Sequence, residues 1–165
     1  MERTPTATTT PVYRERLAPS AGVHLISLMV GGGAALALSL WGPVAALVGG
    51  VLVTAVVSAA LVLTAPVVQV VRGGDPADGG APGGLRLRAG QAVIPVDALG
   101  AGVALDAEQL RSALGPEADA RAYVCHRAWV RSAVRLPVVD ERDATPYWLV
   151  CTRRPSALLA ALDRR

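Results

Sequence analysis

The sequence predicts an α+β membrane protein: a two-helix transmembrane hairpin followed by a small β-roll or barrel with a short internal helix and a closing C-terminal helix. Three observations carry this. No charged side chain occurs between Arg16 and Arg72, and only His24 can titrate within that span. Gly42-Pro43 cuts the span into two apolar stretches. Beyond Ala65 the pattern changes to short alternating segments separated by glycine, proline and aspartate, the mark of strands and turns. The chain therefore divides into an N-terminal cytoplasmic segment (1–22), the hairpin (23–64) and a cytoplasmic β-rich domain (65–165).

Composition agrees with this division. Hydrophobic residues make up 52% of the 165 and charged ones 18%, too apolar for an ordinary soluble domain of this size. All 16 basic residues are arginine, and the abundance of Ala, Gly and Val points to a GC-rich, actinobacterial source. Two cysteines, Cys125 and Cys151, are too few for a disulfide scaffold.

A hydrocarbon core of about 30 Å takes roughly 20 apolar helical residues to cross. Val23–Trp41 and Val44–Thr64 each supply such a length. In a single long helix Pro43 would remove a hydrogen bond and clash, whereas at the first turn of a second helix it is harmless. Gly42 supplies the unusual backbone of the turn, and Pro66 stops the second helix. A cleaved signal peptide fits less well, because the first stretch is long for one and runs directly into the second. Arg3, Arg14 and Arg16 precede the first helix, Arg72 follows the second, and the connecting turn has no charge. The positive-inside rule then puts both termini in the cytoplasm, with Trp41 at the outer interface.

Small residues recur every fourth position on both helices: Ser27, Gly31, Ala35 and Ser39 on the first, and Ala46, Gly50, Thr54 and Ser58 on the second. Such stripes let backbones approach closely in lipid. They are expected to face each other or a second copy of the chain; an Ala/Gly-rich sequence can also produce them by chance.

In the following half, Val67–Arg72 reads as a first strand, bounded by Pro66 and Gly73. Gly73–Gly84 is a glycine-rich surface loop. Leu85–Arg88 and Ala92–Pro95, joined by Gly90-Gln91, make a hairpin. Asp106 with Gln109 three residues on forms a capping box for a helix that buries Leu110 and Leu114 and ends at Gly115-Pro116. Ala122–Arg127, Val130–Val138 and Tyr147–Thr152 read as strands. In the middle one Val130, Ser132, Val134 and Leu136 share one face and Arg131, Ala133 and Arg135 the other. A last helix starts at Pro155 and runs toward Asp163, burying Leu158, Leu159 and Leu162.

Particular runs carry a resemblance. His126-Arg127-Ala128-Trp129-Val130-Arg131, Ala133-Val134-Arg135, Thr145-Pro146-Tyr147-Trp148-Leu149-Val150 and Thr152-Arg153-Arg154-Pro155 are similar to those of the actinobacterial domain-of-unknown-function 3093 membrane proteins. Tyr13-Arg14-Glu15-Arg16-Leu17 and Leu105–Gly115 are similar too. The resemblance covers nearly the whole chain and implies a two-helix anchor with a cytosolic domain and no established activity. The closing strand–Thr-Arg-Arg-Pro–helix pattern also resembles, at fold level only, bacterial pleckstrin-homology-like domains.

No arrangement of residues demands an enzyme or a cofactor. Cys125, His126 and Cys151 lack the further ligands a zinc site needs, and a thiol in a strand behaves as a small hydrophobe. Asp140-Glu141-Arg142-Asp143 reads as a solvated turn. Arginine offers the better lead: Arg86 and Arg88 share a strand face, as do Arg131 and Arg135, with Arg127, Arg153 and Arg154 close in sequence. From Leu85 onward twelve Arg stand against nine Asp and Glu, a net of +3. Such a face could meet anionic lipid headgroups, each Arg adding about 1 kcal/mol, or simply be solvated. The excess is too small, and the aromatics too few, to indicate nucleic acid. Trp148, like Trp129 and Tyr147, reads as core, or as a partner contact if it alternates outward.

These features favour a non-enzymatic binding or scaffold module at the cytoplasmic face of the plasma membrane, with a membrane or cytosolic protein, or lipid, as partner. An enzyme-accessory or redox protein using Cys125 and Cys151 is the alternative. An oligomeric transporter or channel element has little polar lining to work with.

Overall fold

The computed structural model describes residues 11–73 and 83–163. Arg3 and most of the glycine-rich stretch expected at Gly73–Gly84 lie outside the described residues. Two compact units result, one from Ala18 to Ala65 and the other from the flanking chain, up to Leu17 and from Pro66 onward.

The first unit is the expected hairpin. Helix α1 (Ala21–Leu38) ends in a 3₁₀ turn at Ser39–Trp41, Gly42 takes φ +112°, and Pro43 opens helix α2 (Pro43–Leu63). With its 3₁₀ turn, the first helix spans 21 residues of mean hydropathy 1.8, and the second 21 of 2.5. Both are long and apolar enough to cross a bilayer. Their outer surfaces are what such a helix presents to lipid: Met29, Leu36, Val44, Leu47 and Leu63 are exposed.

The small-residue stripes meet within the hairpin. A methyl built on Gly31 would lie 2.7 Å from the Gly50 carbonyl oxygen and collide with Thr54 Oγ1, and one on Gly50 would lie 2.8 Å from Ala35 Cβ. Ser27, Gly31 and Gly50 are buried there. Ser39 does not join the stripe; it is exposed in the 3₁₀ turn and donates to the Leu36 carbonyl.

Among the described residues, the second unit contains two four-stranded sheets and two α-helices. Strands β1 (Pro11–Arg16), β2 (Val67–Arg72), β3 (Leu85–Ala89) and β4 (Ala92–Pro95) form an antiparallel meander in that order. The second sheet runs β5 (Val103–Leu105), β7 (Ala133–Pro137), β8 (Tyr147–Cys151), β6 (Tyr123–Cys125), with β6 parallel to β8. Helix α3 (Ala107–Leu114) follows β5, and helix α4 (Pro155–Leu162) closes the chain against β1, β2, β5 and β7. The expected α+β architecture is what the chain adopts, with the roll resolved into two sheets around one core.

Burial explains the cohesion of this unit. Leu17, Val68, Val70, Leu87, Leu136, Leu149, Val150 and Leu158 are wholly or almost wholly buried in a shared cluster. Each such side chain contributes about 2 kcal/mol through removal from water. The capping box forms as expected: Asp106 Oδ1 accepts from the Glu108 and Gln109 amides at 2.9 Å, and the Asp106 amide donates to Gln109 Oε1.

One element departs from the sequence reading. Residues 1–22 were expected outside the folded domain, but Pro11–Arg16 are the edge strand of the first sheet. Arg16 opposes Val67, and a bulge falls between Pro11 and Tyr13. The Leu17 amide donates to the Pro66 carbonyl at 3.0 Å, so the chain enters and leaves the hairpin through neighbouring residues of one ladder. The helical pair is thus an insertion within a β-domain rather than a leader in front of it.

Candidate functional site

The arginines expected to form one face are dispersed. Arg86 on β3 is 2% exposed and belongs to the interior, while Arg88, two residues on, is exposed. Arg86 is therefore withdrawn as a surface contact; its neighbours Leu85 and Leu87 are both buried, so both faces of this part of β3 are covered. Arg135, half-buried, lays its guanidinium 4.0 Å from the centre of the Tyr147 ring. Arg153 and Arg154 are exposed at the turn before α4, and Arg131 is exposed beside half-buried Arg127.

Trp148 is also withdrawn as a partner contact. It is 5% exposed, with its ring centre 4.2 Å from that of Tyr123. All five residues of β8 are buried, so alternation does not turn Trp148 outward. The Tyr123 hydroxyl donates to the Ala89 carbonyl at 2.6 Å, linking β6 to the other sheet.

Cys125 and Cys151 are free and buried. Burial pushes both thiols up from their ordinary pKa, which keeps them protonated. No group of three His, Cys, Asp or Glu side chains able to hold a metal occurs among the described residues. The acidic turn is solvated as expected, with Asp140 pairing Arg142 at 3.1 Å.

The first polar cluster lies under the N-terminal strand. Glu15, 7% exposed, accepts from the Tyr13 hydroxyl at 2.6 Å, from Thr152 Oγ1 at 2.5 Å and from the Arg153 amide at 3.1 Å. The Arg154 amide donates to Thr152 Oγ1, and its guanidinium donates to the Arg14 carbonyl. Burial works against the Glu15 carboxylate. The bonds from Thr152, Tyr13 and Arg153 and the charge of Arg154 outweigh it, holding its pKa below the ordinary value. Burial and the adjacent carboxylate push Tyr13 up to about 12. The cluster is saturated by its own partners and serves as a latch rather than a binding site.

Helix α3 borders two clefts. On one side Glu108, Gln109 and Ser112 face Glu117 and Arg135 across a space of about 440 Å³. On the other, Leu110, Arg111 and Leu114 face His126, Val130 and Arg131 across about 390 Å³. Arg131 is the one residue of the expected arginine face that lines this second cleft. Arg111 and His126 were not among those residues. The helical spacing of Ala107, Leu110, Arg111 and Leu114 placed them on one face, but no sequence signal put that face against the His126–Arg131 turn.

An α+β protein whose β-domain is interrupted by an apolar helical hairpin is the class this architecture defines. A family model described as "Protein of unknown function (DUF3093)" matches residues 12–162, and the chain belongs to that family. No curated protein and no solved structure matches it.

Proposed function

We propose that the chain is an integral membrane protein whose β-domain sits at the cytoplasmic face and acts as a non-enzymatic binding or scaffold module. The observation that carries this reading is the bond between the Leu17 amide and the Pro66 carbonyl. Because β1 and β2 pair, both ends of the hairpin start on the same side of any bilayer it enters. Arg14, Arg16 and Arg72 flank it, while its connecting turn is uncharged, and positive flanks favour the cytoplasm.

A redox role for Cys125 and Cys151 has less support, since their burial disfavours the thiolate that such chemistry needs. A conducting pathway also has less, because the helices carry no charged side chain and pack on each other through their small residues.

Paired C-terminal reporter fusions test the reading. A fluorescent protein that folds only inside the cell should be bright, and a phosphatase active only outside should be silent. The reverse pattern contradicts the cytoplasmic placement.

A further inference from the structure

The cleft between α3 and the His126–Arg131 turn has a chemistry of its own. Its floor is apolar, made by Leu110, Leu114 and Val130, and its rim carries Arg111, His126 and Arg131. No carboxylate lines it. Two other exposed arginines of this domain do pair with an aspartate two residues away: Arg121 with Asp119 at 2.9 Å, and Arg142 with Asp140 at 3.1 Å. Arg111 and Arg131 form no such pair among the described residues. The Arg111 side chain donates only to the Ala107 carbonyl of its own helix.

We propose that this cleft binds a phosphomonoester bearing an apolar body, the head held by Arg111, His126 and Arg131 and the body resting on Leu110, Leu114 and Val130. Charge selects the head. Two permanently positive guanidinium groups call for a dianion, and a single carboxylate would leave one of them uncompensated. The planar N–H fork of arginine matches phosphate oxygens two at a time. His126, half-buried, adds a ring N–H.

The floor selects the rest of the ligand. An inorganic ion would leave three aliphatic side chains facing water, whereas an attached apolar group covers them. A space of about 390 Å³ fits a small organic molecule, such sites running from about 300 to 1,000 Å³.

Both walls are held in place before any ligand arrives. The capping box fixes the first turn of α3, and the Val130 amide donates to the Arg127 carbonyl at 2.9 Å, closing the opposite turn. Preformed walls let binding energy go into contacts rather than ordering. Phosphomonoesters of this kind reach such a protein from two sources, a soluble ester or the headgroup of phosphatidic acid. The inference rests on the binding-module reading above and gives it a ligand class.

Calorimetric titration of the full-length chain in nonionic detergent tests it, with phenyl phosphate, dihexanoyl phosphatidic acid, dihexanoyl phosphatidylcholine and inorganic phosphate as probes. One or both phosphomonoesters should bind saturably, and inorganic phosphate and the choline lipid at least tenfold more weakly. Tighter binding of phenyl phosphate assigns the soluble source, and tighter binding of phosphatidic acid the headgroup. Arg111→Gln and Arg131→Gln should each weaken binding roughly tenfold or more, as loss of charge-assisted hydrogen bonds does. Both residues are exposed, so an unchanged circular dichroism spectrum is expected. Arg142→Gln, outside the cleft, should bind as the parent does. Absence of saturable binding, equal binding of inorganic phosphate, or affinity within twofold of the parent in both cleft variants overturns the proposal. If the same preparation then recovers a protein partner by crosslinking, the binding-module reading survives that failure; if it recovers none, both fall.

Discussion

Thr152 Oγ1 donates to Glu15 Oε2 at 2.5 Å, joining the first strand of the domain to the turn that starts its last helix. The two residues lie 137 positions apart, with the whole hairpin between them. Through this bond the strand that precedes the helical hairpin is locked to the turn that opens α4.

Glu15→Ala removes the charged acceptor shared by the Tyr13 and Thr152 hydroxyls and the Arg153 amide, leaving the two hydroxyls bonded to each other at 2.9 Å. The expected loss is about 2 kcal/mol, from charge-assisted hydrogen bonds lost in a buried site. Chemical denaturation followed by tryptophan fluorescence measures it, since Trp129 and Trp148 both lie in this domain. A loss below about 0.5 kcal/mol would mean the latch is ornamental.

The same cluster sets a pH window. Glu15 has a depressed pKa in the folded chain, so its contribution is present above the ordinary carboxylate value of 4.5 and is lost as pH falls through the lower folded value. Tyr13 is raised from 10.0 to about 12, so its contribution is complete below pH 10 and fades as pH climbs toward 12. Thermal melts from pH 3 to pH 12 should therefore show a plateau bounded on both sides, and Glu15→Gln should flatten the acidic edge.

Within the hairpin, Gly31→Ile should force the helices apart, because Thr54 and the Gly50 carbonyl fill the space its side chain would need. Gly33→Ile should be tolerated, since a methyl there meets nothing within 4 Å. Energy transfer between dyes placed on the two helices in lipid separates the outcomes. Equal efficiency in the two variants would deny the close packing.

Thiol labelling checks the cysteines. Cys125 and Cys151 should react with a maleimide only after unfolding, as buried, protonated thiols do. Rapid modification of the folded chain would reopen a redox role.

Much of this architecture was legible in the sequence. The charge-free span and Gly42-Pro43 are local signals of a helical hairpin. The every-fourth small residues leave open whether the stripes meet each other or a second copy, and the contact of Gly31 with Gly50 and Thr54 decides that within the hairpin. Asp106 and Gln109 announce a helix start within four residues. Strand β1 was missed for an equally local reason. Tyr13, Glu15 and Leu17 do alternate inward, but a carboxylate at the middle inward position hides the pattern, and its partners Thr152 and Arg153 are distant in sequence. Trp148 was ambiguous because alternation identifies two faces of a strand without saying whether both are covered. The cleft beside α3 joins residues 111 and 131, and a contact of that range leaves no trace in periodicity.

The insertion of a hairpin between two paired strands is the claim on which the rest depends, and excision tests it most directly. Leu17 and Pro66 are hydrogen-bonded neighbours, so Asn-Gly can replace residues 18–65 as a two-residue turn between antiparallel strands. Partition is then measured by sedimentation after alkaline extraction. The full chain should stay with the membrane pellet, and the excised chain should remain in the supernatant, monodisperse and rich in β-structure. A full chain released into the supernatant, or an excised chain that cannot fold, would contradict the account.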